Sequence, residues 1–173
     1  GKEQNDLTYR NAFILEFLYA TGLRVSELCQ IKIQDILFSE QKIKVMGKGR
    51  KERIIFYKAI NQNLFDTYIN QVRPRILDGL ESDYLLVSKT GKLTPRSVEK
   101  IVKNYAFQKN IKSRVTPHTI RHTFATDLLN EGADIRSVGE LLGHESLSTT
   151  QIYTHVTSDR LKQVYQNTHP RNR

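Results

Sequence analysis

Cysteine is almost absent from this 173-residue chain: Cys29 stands alone. One thiol makes no internal disulfide and cannot assemble a thiolate zinc site, which excludes disulfide-stapled extracellular scaffolds and zinc fingers. Long apolar runs are missing as well. Stretches such as Phe13-Ile14-Leu15 and Tyr84-Leu85-Leu86-Val87 fall far short of a bilayer span, and no basic start followed by an apolar run marks a secretory signal. The chain is therefore expected in the cytoplasm, without a membrane partner. No repeat, low-complexity tract or Gly/Ser linker divides it, and the length suits one domain with a single core. With 38% hydrophobic and 26% charged residues, the composition is that of a globular protein rather than a disordered one.

Acidic residues are outnumbered, 18 against 27 basic ones, for a formal net charge of +9. The excess is concentrated. Residues 42–58 carry Lys42, Lys44, Lys48, Arg50, Lys51, Arg53 and Lys58 against Glu52 alone. Residues 92–121 carry Lys92, Arg96, Lys100, Lys103, Lys109, Lys112, Arg114 and Arg121 against Glu99 alone. Two basic blocks on a slightly acidic body suit a polyanion-binding surface, because neutralised phosphates release condensed counterions. A solvated face kept for solubility is the competing reading of any such charge run.

Periodicity gives the architecture. Leu7, Phe13, Ile14, Phe17 and Leu18 recur at helical spacing over 6–21 and Gly22 stops the run. A short second helix follows, opening near Ser26 or earlier. The period then changes: Lys42-Ile43-Lys44-Val45 alternates, Gly47-Lys48-Gly49-Arg50 turns, and Arg53-Ile54-Ile55-Phe56 returns. With Ile36-Leu37-Phe38 this makes a small antiparallel sheet of about three strands. A helical pattern over 58–72 is expected to end at Pro74, and Tyr84–Val87 to add a short strand. Thr94-Pro95 and Thr116-Pro117 are cap-and-first-turn pairs. They open helices with inward stripes Val98, Ile101, Val102, Tyr105 and Ile120, Phe124, Ala125, Leu128, Leu129, the second ending at Gly132. Shorter helices are expected at 134–142, 147–154 and 158–167. The fold class is α+β: one mostly helical domain carrying a small antiparallel sheet.

Several groups have chemical potential. In His118-Thr119-Ile120-Arg121-His122, His118 and Arg121 share a helix face at i, i+3. Pro117 places His118 in the first turn, where free backbone N–H groups favour an anion. His118 and His122 at i, i+4 also have the spacing of a metal pair, but Arg121 between them would repel a cation and no H-E-x-x-H glutamate is present. Arg24, in an otherwise apolar turn, is either paired with Glu27 or aimed at a ligand. Lys48 sits at the tip of a glycine-flanked hairpin, as a solvated charge or as a group reaching into a groove. His144 follows Leu141-Leu142-Gly143, and Tyr153 is one of eight tyrosines, most of which pack as apolar bodies with a polar tip.

Taken in order, Gly22-Leu23-Arg24-Val25-Ser26-Glu27-Leu28, Gly47-Lys48-Gly49-Arg50-Lys51-Glu52-Arg53, His118-Thr119-Ile120-Arg121-His122-Thr123-Phe124-Ala125-Thr126, Leu141-Leu142-Gly143-His144 and Thr150-Gln151-Ile152-Tyr153-Thr154-His155-Val156 resemble the catalytic domain of the tyrosine recombinases (phage integrases). The likeness is strongest to the Xer branch, which resolves chromosome dimers, and it runs over nearly all of residues 1–173. It implies that Tyr153 is the nucleophile, forming a 3′-phosphotyrosyl link, and that Arg24, Arg121 and His144 hold the nonbridging phosphate oxygens. It further implies Lys48 as general acid to the leaving 5′-oxygen, His118 as a proton-transfer group on the tyrosine side, and Glu27 as a support behind them. Of the basic residues, Lys44, Arg50, Lys51, Arg53, Arg96, Lys100, Lys103 and Arg114 are expected on DNA. The family's N-terminal DNA-clamping domain is expected to lie outside this sequence.

The resemblance also implies the partners: a double-stranded recombination site, a tetramer of identical or related recombinases on DNA, and a DNA translocase. Residues 158–173, with the stripe Leu161, Val164, Tyr165, would dock either within the chain or on a neighbouring subunit. No metal or other cofactor is expected. A tyrosine hydroxyl with a pKa near ~10 needs a proton acceptor or strongly cationic surroundings to attack, and guanidinium forks stabilise the charge gathering on phosphorus without a metal. Two other functions use overlapping parts: type IB topoisomerase relaxation, and DNA binding by a catalytically idle site.

Overall fold

A computed structural model describes residues 1–143; the helices expected at 147–154 and 158–167 lie outside the described residues. The first helix, α1 (Lys2–Thr21), is the central post. Its face bearing Phe13, Ile14, Phe17 and Leu18 is sealed from solvent, each such side chain contributing roughly 1.5–3 kcal/mol of burial. The Phe13 ring stacks on Tyr68 at 4.2 Å between centroids and also meets Phe17 and Phe65. Gly22 ends the helix in the left-handed region (φ 67°), its N–H donating to the Leu18 carbonyl at 2.9 Å. A Cβ there would lie 2.3 Å from a ring carbon of Phe124, so only glycine lets the later helix carrying Phe124 close onto this turn.

After α2 (Val25–Gln30), the expected sheet forms in the order β1 (Ile36–Leu37), β2 (Lys42–Met46), β3 (Glu52–Phe56), all antiparallel. The register pairs Ile43 with Ile55 and Val45 with Arg53. Period-two alternation buries Ile43 and Val45 and leaves Lys44 and Met46 exposed. The same parity turns Arg53 inward with Ile55.

The next helical stretch departs from expectation. It starts at Gln62 rather than 58, with the Asn61 side chain accepting from the Leu64 N–H at 3.1 Å, and continues past Pro74. Between α3 (Gln62–Thr67) and α4 (Arg73–Leu77) lies a π-helical turn, Tyr68–Val72, in which the Arg73 N–H donates to the Tyr68 carbonyl five residues back. This widened turn admits Pro74 near the start of α4, where its missing N–H and its ring are tolerated. Tyr84 makes only an isolated bridge to Lys32; the pairing expected there falls instead to a hairpin of β4 (Val87–Ser88) and β5 (Gly91–Lys92).

Three capped helices complete the described residues. Thr94 opens α5 (Pro95–Gln108) and Thr116 opens α6 (Pro117–Asn130), each hydroxyl accepting a backbone N–H three residues on. Asp134 does the same for α7 (Ile135–Leu142). Val98, Val102, Phe124 and Leu128 face the core as expected, whereas Tyr105 and Leu129, assigned to the same stripes, are exposed at the stripe margins.

Tyr57 generates a stability prediction. Its ring stacks on Phe65 at 4.5 Å, but its buried hydroxyl has no hydrogen-bond partner among the described residues. Burial, aided by the charge of Asp66, pushes its pKa up to about 12. Tyr57→Phe keeps the stacking and removes a desolvated hydroxyl, so urea denaturation is expected to show a gain of about 0.5–1 kcal/mol. A loss would mean that the hydroxyl has a partner.

Candidate active site

The site is built around a buried carboxylate. Glu27, in the first turn of α2, is 5% exposed. Its Oε1 accepts the Arg24 backbone N–H at 3.0 Å, capping its own helix, and the Arg53 Nη2–H at 3.0 Å, while Oε2 accepts the Arg53 Nη1–H. The sequence left Arg24 either paired with Glu27 or aimed at a ligand. In the fold the carboxylate takes only the Arg24 main-chain N–H, its charge goes to Arg53, and the Arg24 side chain is half-buried. Burial pushes the Glu27 carboxyl upward, but the bonds and charge of Arg53, the Arg24 N–H and the charge of Arg121 outweigh it and hold the pKa below its ordinary value.

Arg121 comes from α6, one turn beyond His118. It is 7% exposed, donating through Nη1 to the Gly22 carbonyl at 2.9 Å and through Nη2 to the Leu142 carbonyl at 2.8 Å. Its Nη1 lies 3.9 Å from Glu27 Oε1. Burial first, then the positive charges of Arg24 and Arg53, push its pKa down to about 10 against the pull of Glu27. It stays cationic at neutral pH, with the charges of Arg24 and Arg53 bearing on it.

The other residues expected at the site fall into two sets. His118 is exposed in the first turn of α6, and Lys48 is exposed at the β2–β3 tip, where Gly49 (φ 73°) and Arg50 (φ 59°) both adopt left-handed backbone. His144 and Tyr153 lie outside the described residues. Among the described residues, no group of three His, Cys, Asp or Glu side chains is placed to hold a metal ion, and no helix is long and apolar enough to cross a membrane.

Of the side chains expected on DNA, Lys44, Arg50, Lys51, Arg96, Lys100, Lys103 and Arg114 are exposed. Arg53 is the correction. It is 7% exposed and committed to Glu27, because the strand register aims it inward opposite Val45. The signal was present in the alternation of β3, where Arg53 shares parity with Ile55, but it was masked by the surrounding basic run.

The pairing of two buried arginines about one carboxylate, a basic hairpin tip, and a histidine one turn before the second arginine can be set beside known proteins. The Phage integrase family profile matches residues 2–160. The chain belongs to this family. The chain is 47% identical to the tyrosine recombinase XerD of Staphylococcus haemolyticus, over 98% of its length and 59% of that protein. It is likewise 47% identical to the tyrosine recombinase XerC of Oceanobacillus iheyensis, over 98% and 58%. The chain thus spans little more than half the length of these relatives. Among solved structures, XerA recombinase superposes with a TM-score of 0.67 at 34% identity, covering 91% of this chain and 56% of that one. XerH bound to its difH substrate in a pre-cleavage complex gives 0.71 at 28% identity, covering 93% and 47%. The mostly helical fold with its three-stranded sheet is the expected tyrosine recombinase fold.

Glu27→Ala leaves Arg53 buried without its counter-charge and is expected to destabilise the domain by about 3–5 kcal/mol in urea denaturation. The pH dependence has a fixed sign. Because the folded carboxyl titrates below its ordinary value of 4.5, its contribution is full above that value and is lost as pH falls through the folded pKa. Glu27→Gln, which cannot ionise, should therefore show a shallower loss of stability between pH 5 and pH 3 than the wild type, as read from denaturation midpoints.

Proposed function

We propose that this integrase domain cleaves and rejoins DNA strands at a specific recombination site through a covalent tyrosine intermediate, without a metal. The observation that carries the reading is the convergence of the Arg53 and Arg121 guanidinium groups and the Arg24 main-chain N–H on the single buried Glu27 carboxylate, with His118 one turn before Arg121. Membership of the family and 47% identity to XerD and XerC proteins support it, as does the likeness to XerH on its difH substrate.

In this reading the Tyr153 oxygen attacks the scissile phosphorus as its proton passes toward His118. Arg24, Arg121 and His144 hold the nonbridging oxygens while negative charge accumulates there, a guanidinium donor of this kind being worth roughly 3–4 kcal/mol. The P–O5′ bond breaks, and its electron pair leaves with the 5′-oxygen, which takes a proton from Lys48. One phosphodiester is exchanged for another, so the reverse attack reseals a strand without ATP. The exposed lysines and arginines of the hairpin and of α5 supply phosphate contacts on the duplex. The catalytic unit would work as a tetramer of identical or related subunits on paired sites, with residues 158–173 joining neighbours and a DNA translocase as a further partner.

Two substitutions test the chemistry. On a nicked suicide duplex, Tyr153→Phe is expected to bind DNA with near wild-type affinity and form no SDS-resistant adduct, with mass spectrometry of the wild-type adduct placing the nucleotide on Tyr153. An adduct formed by the Phe variant would overturn the assignment. Lys48→Ala is expected to lose cleavage of ordinary DNA and recover it on a substrate whose 5′-bridging oxygen is sulfur, a leaving group that needs no proton. Measurable cleavage without that recovery would remove Lys48 from the acid role. Recombinant joints from paired sites, rather than relaxed supercoils alone, separate a recombinase from a topoisomerase.

A further inference from the structure

We infer that Arg53 is a positioning residue of the strand-cleavage reaction, one that never meets DNA; the inference rests on the reading of the site given above. Three contacts lead to it. Both Nη groups of Arg53 are spent on Glu27, whose Oε1 in turn fixes the backbone of Arg24 and lies 3.9 Å from Arg121 Nη1. A Cβ placed on Gly47, immediately before Lys48, would lie 3.4 Å from Arg53 Nη1, so the guanidinium packs against the root of the hairpin tip. On the third side, a Cβ on Gly143 would lie 2.9 Å from Arg53 Nε and 3.0 Å from its Cδ and Cζ. Only a glycine lets the guanidinium approach the end of α7 that closely.

One buried side chain therefore touches the roots of the segments that carry Arg24, Lys48 and, by chain continuity, His144. The Leu142 carbonyl, one residue before Gly143, is the acceptor of Arg121 Nη2. Arg53 and Arg121 thus grip consecutive residues at the end of α7, and the same carboxylate steadies both. The Arg53 Nε–H, buried and without a hydrogen-bond partner among the described residues, faces this α7 end. A side chain whose two Nη groups are both bonded to a buried carboxylate, and which contacts three catalytic segments, acts by holding their relative geometry. Misplacement of about 1 Å at such a site is enough to cost roughly 10²-fold in rate.

The test is single-turnover cleavage of the nicked suicide duplex at saturating DNA, using the full chain as wild type, Arg53→Met and Arg53→Lys. Arg53→Met is expected to lower the rate constant about 100-fold at near-complete amplitude, and Arg53→Lys, which keeps the charge but loses the fork, to fall between it and the wild type. The DNA Kd and its dependence on salt should stay within twofold of wild type. A residue needed only for folding would lower the amplitude, the fraction of competent molecules, and leave the rate constant unchanged; that result overturns the inference. A residue contacting phosphate would weaken Kd and flatten the salt slope by about one, which overturns it too. Should Arg53→Met not fold, Arg53→Lys decides alone: full amplitude with a lowered rate supports the inference, and a wild-type rate overturns it. A wild-type chain that traps no adduct would overturn the reading of the site itself, and the inference with it.

Discussion

Everything at this site depends on holding the Arg53 and Arg121 guanidinium groups about one carboxylate, within the field of Arg24, without driving them apart. Arg53 and Arg121 are almost fully buried and Arg24 half so, and like charges in a low-dielectric interior repel strongly. Glu27 is the carboxylate that makes the arrangement tenable. It binds one guanidinium in a bidentate fork, caps the helix on which the second sits, and offsets part of the charge of the third. The cluster is left with a surplus of positive charge rather than being neutralised. In the proposed reaction a phosphodiester supplies the missing anion, and a transition state with more negative charge on phosphorus matches the surplus better than the ground state does, which is the condition for catalysis rather than mere binding.

Arg121 shows how the fold holds a cation ready. Its Nη groups are tied to main-chain carbonyls, one at Gly22 and one at Leu142, so the side chain is located by the ends of two helices and not by another mobile side chain. Both anchor points adjoin glycines that tolerate no Cβ, Gly22 itself against Phe124 and Gly143 against Arg53. Close approach of backbone to ring and of backbone to guanidinium is what brings α1, α6 and α7 to a common point. The hydrophobic core enforces the same convergence from below, since Phe124 belongs to the core and also presses on Gly22.

Much of this was legible in the amino-acid order, for identifiable reasons. The sheet was readable because Lys42-Ile43-Lys44-Val45 alternates with period two, and α5 and α6 because Thr-Pro pairs mark helix starts unambiguously. Pro74 misled because a proline's usual effect assumes a regular α-helix upstream; a π turn removes the premise, and no residue type in Tyr68–Val72 announces one. Arg53 misled because local charge density dominated the reading of a run whose alternation already separated inward from outward residues. The choice between an Arg24–Glu27 ion pair and a free Arg24 was not decidable from spacing, since i, i+3 allows the carboxylate to reach either the side chain or the main-chain N–H.

The cations of the domain are divided by burial, and the division has a physical logic. In the proposed reaction, exposed groups such as Lys44, Lys100 and Arg114 act over distances at which salt screens them, so they would serve encounter and affinity and be lost singly at small cost. Buried groups are screened little and are fixed in place, which in that reaction suits Arg121 to stabilising charge at one phosphorus and Arg53 to holding the site together. Lys48 belongs to neither set. It is exposed on a tip where Gly49 takes left-handed backbone, and in the proposed reaction it is the group that must approach a leaving oxygen and then withdraw. In the proposed reaction a buried cationic cradle combined with an exposed proton donor separates the recognition of phosphate from the timing of bond breakage, with Arg53 packed against Gly47 at the root of the tip that carries the donor.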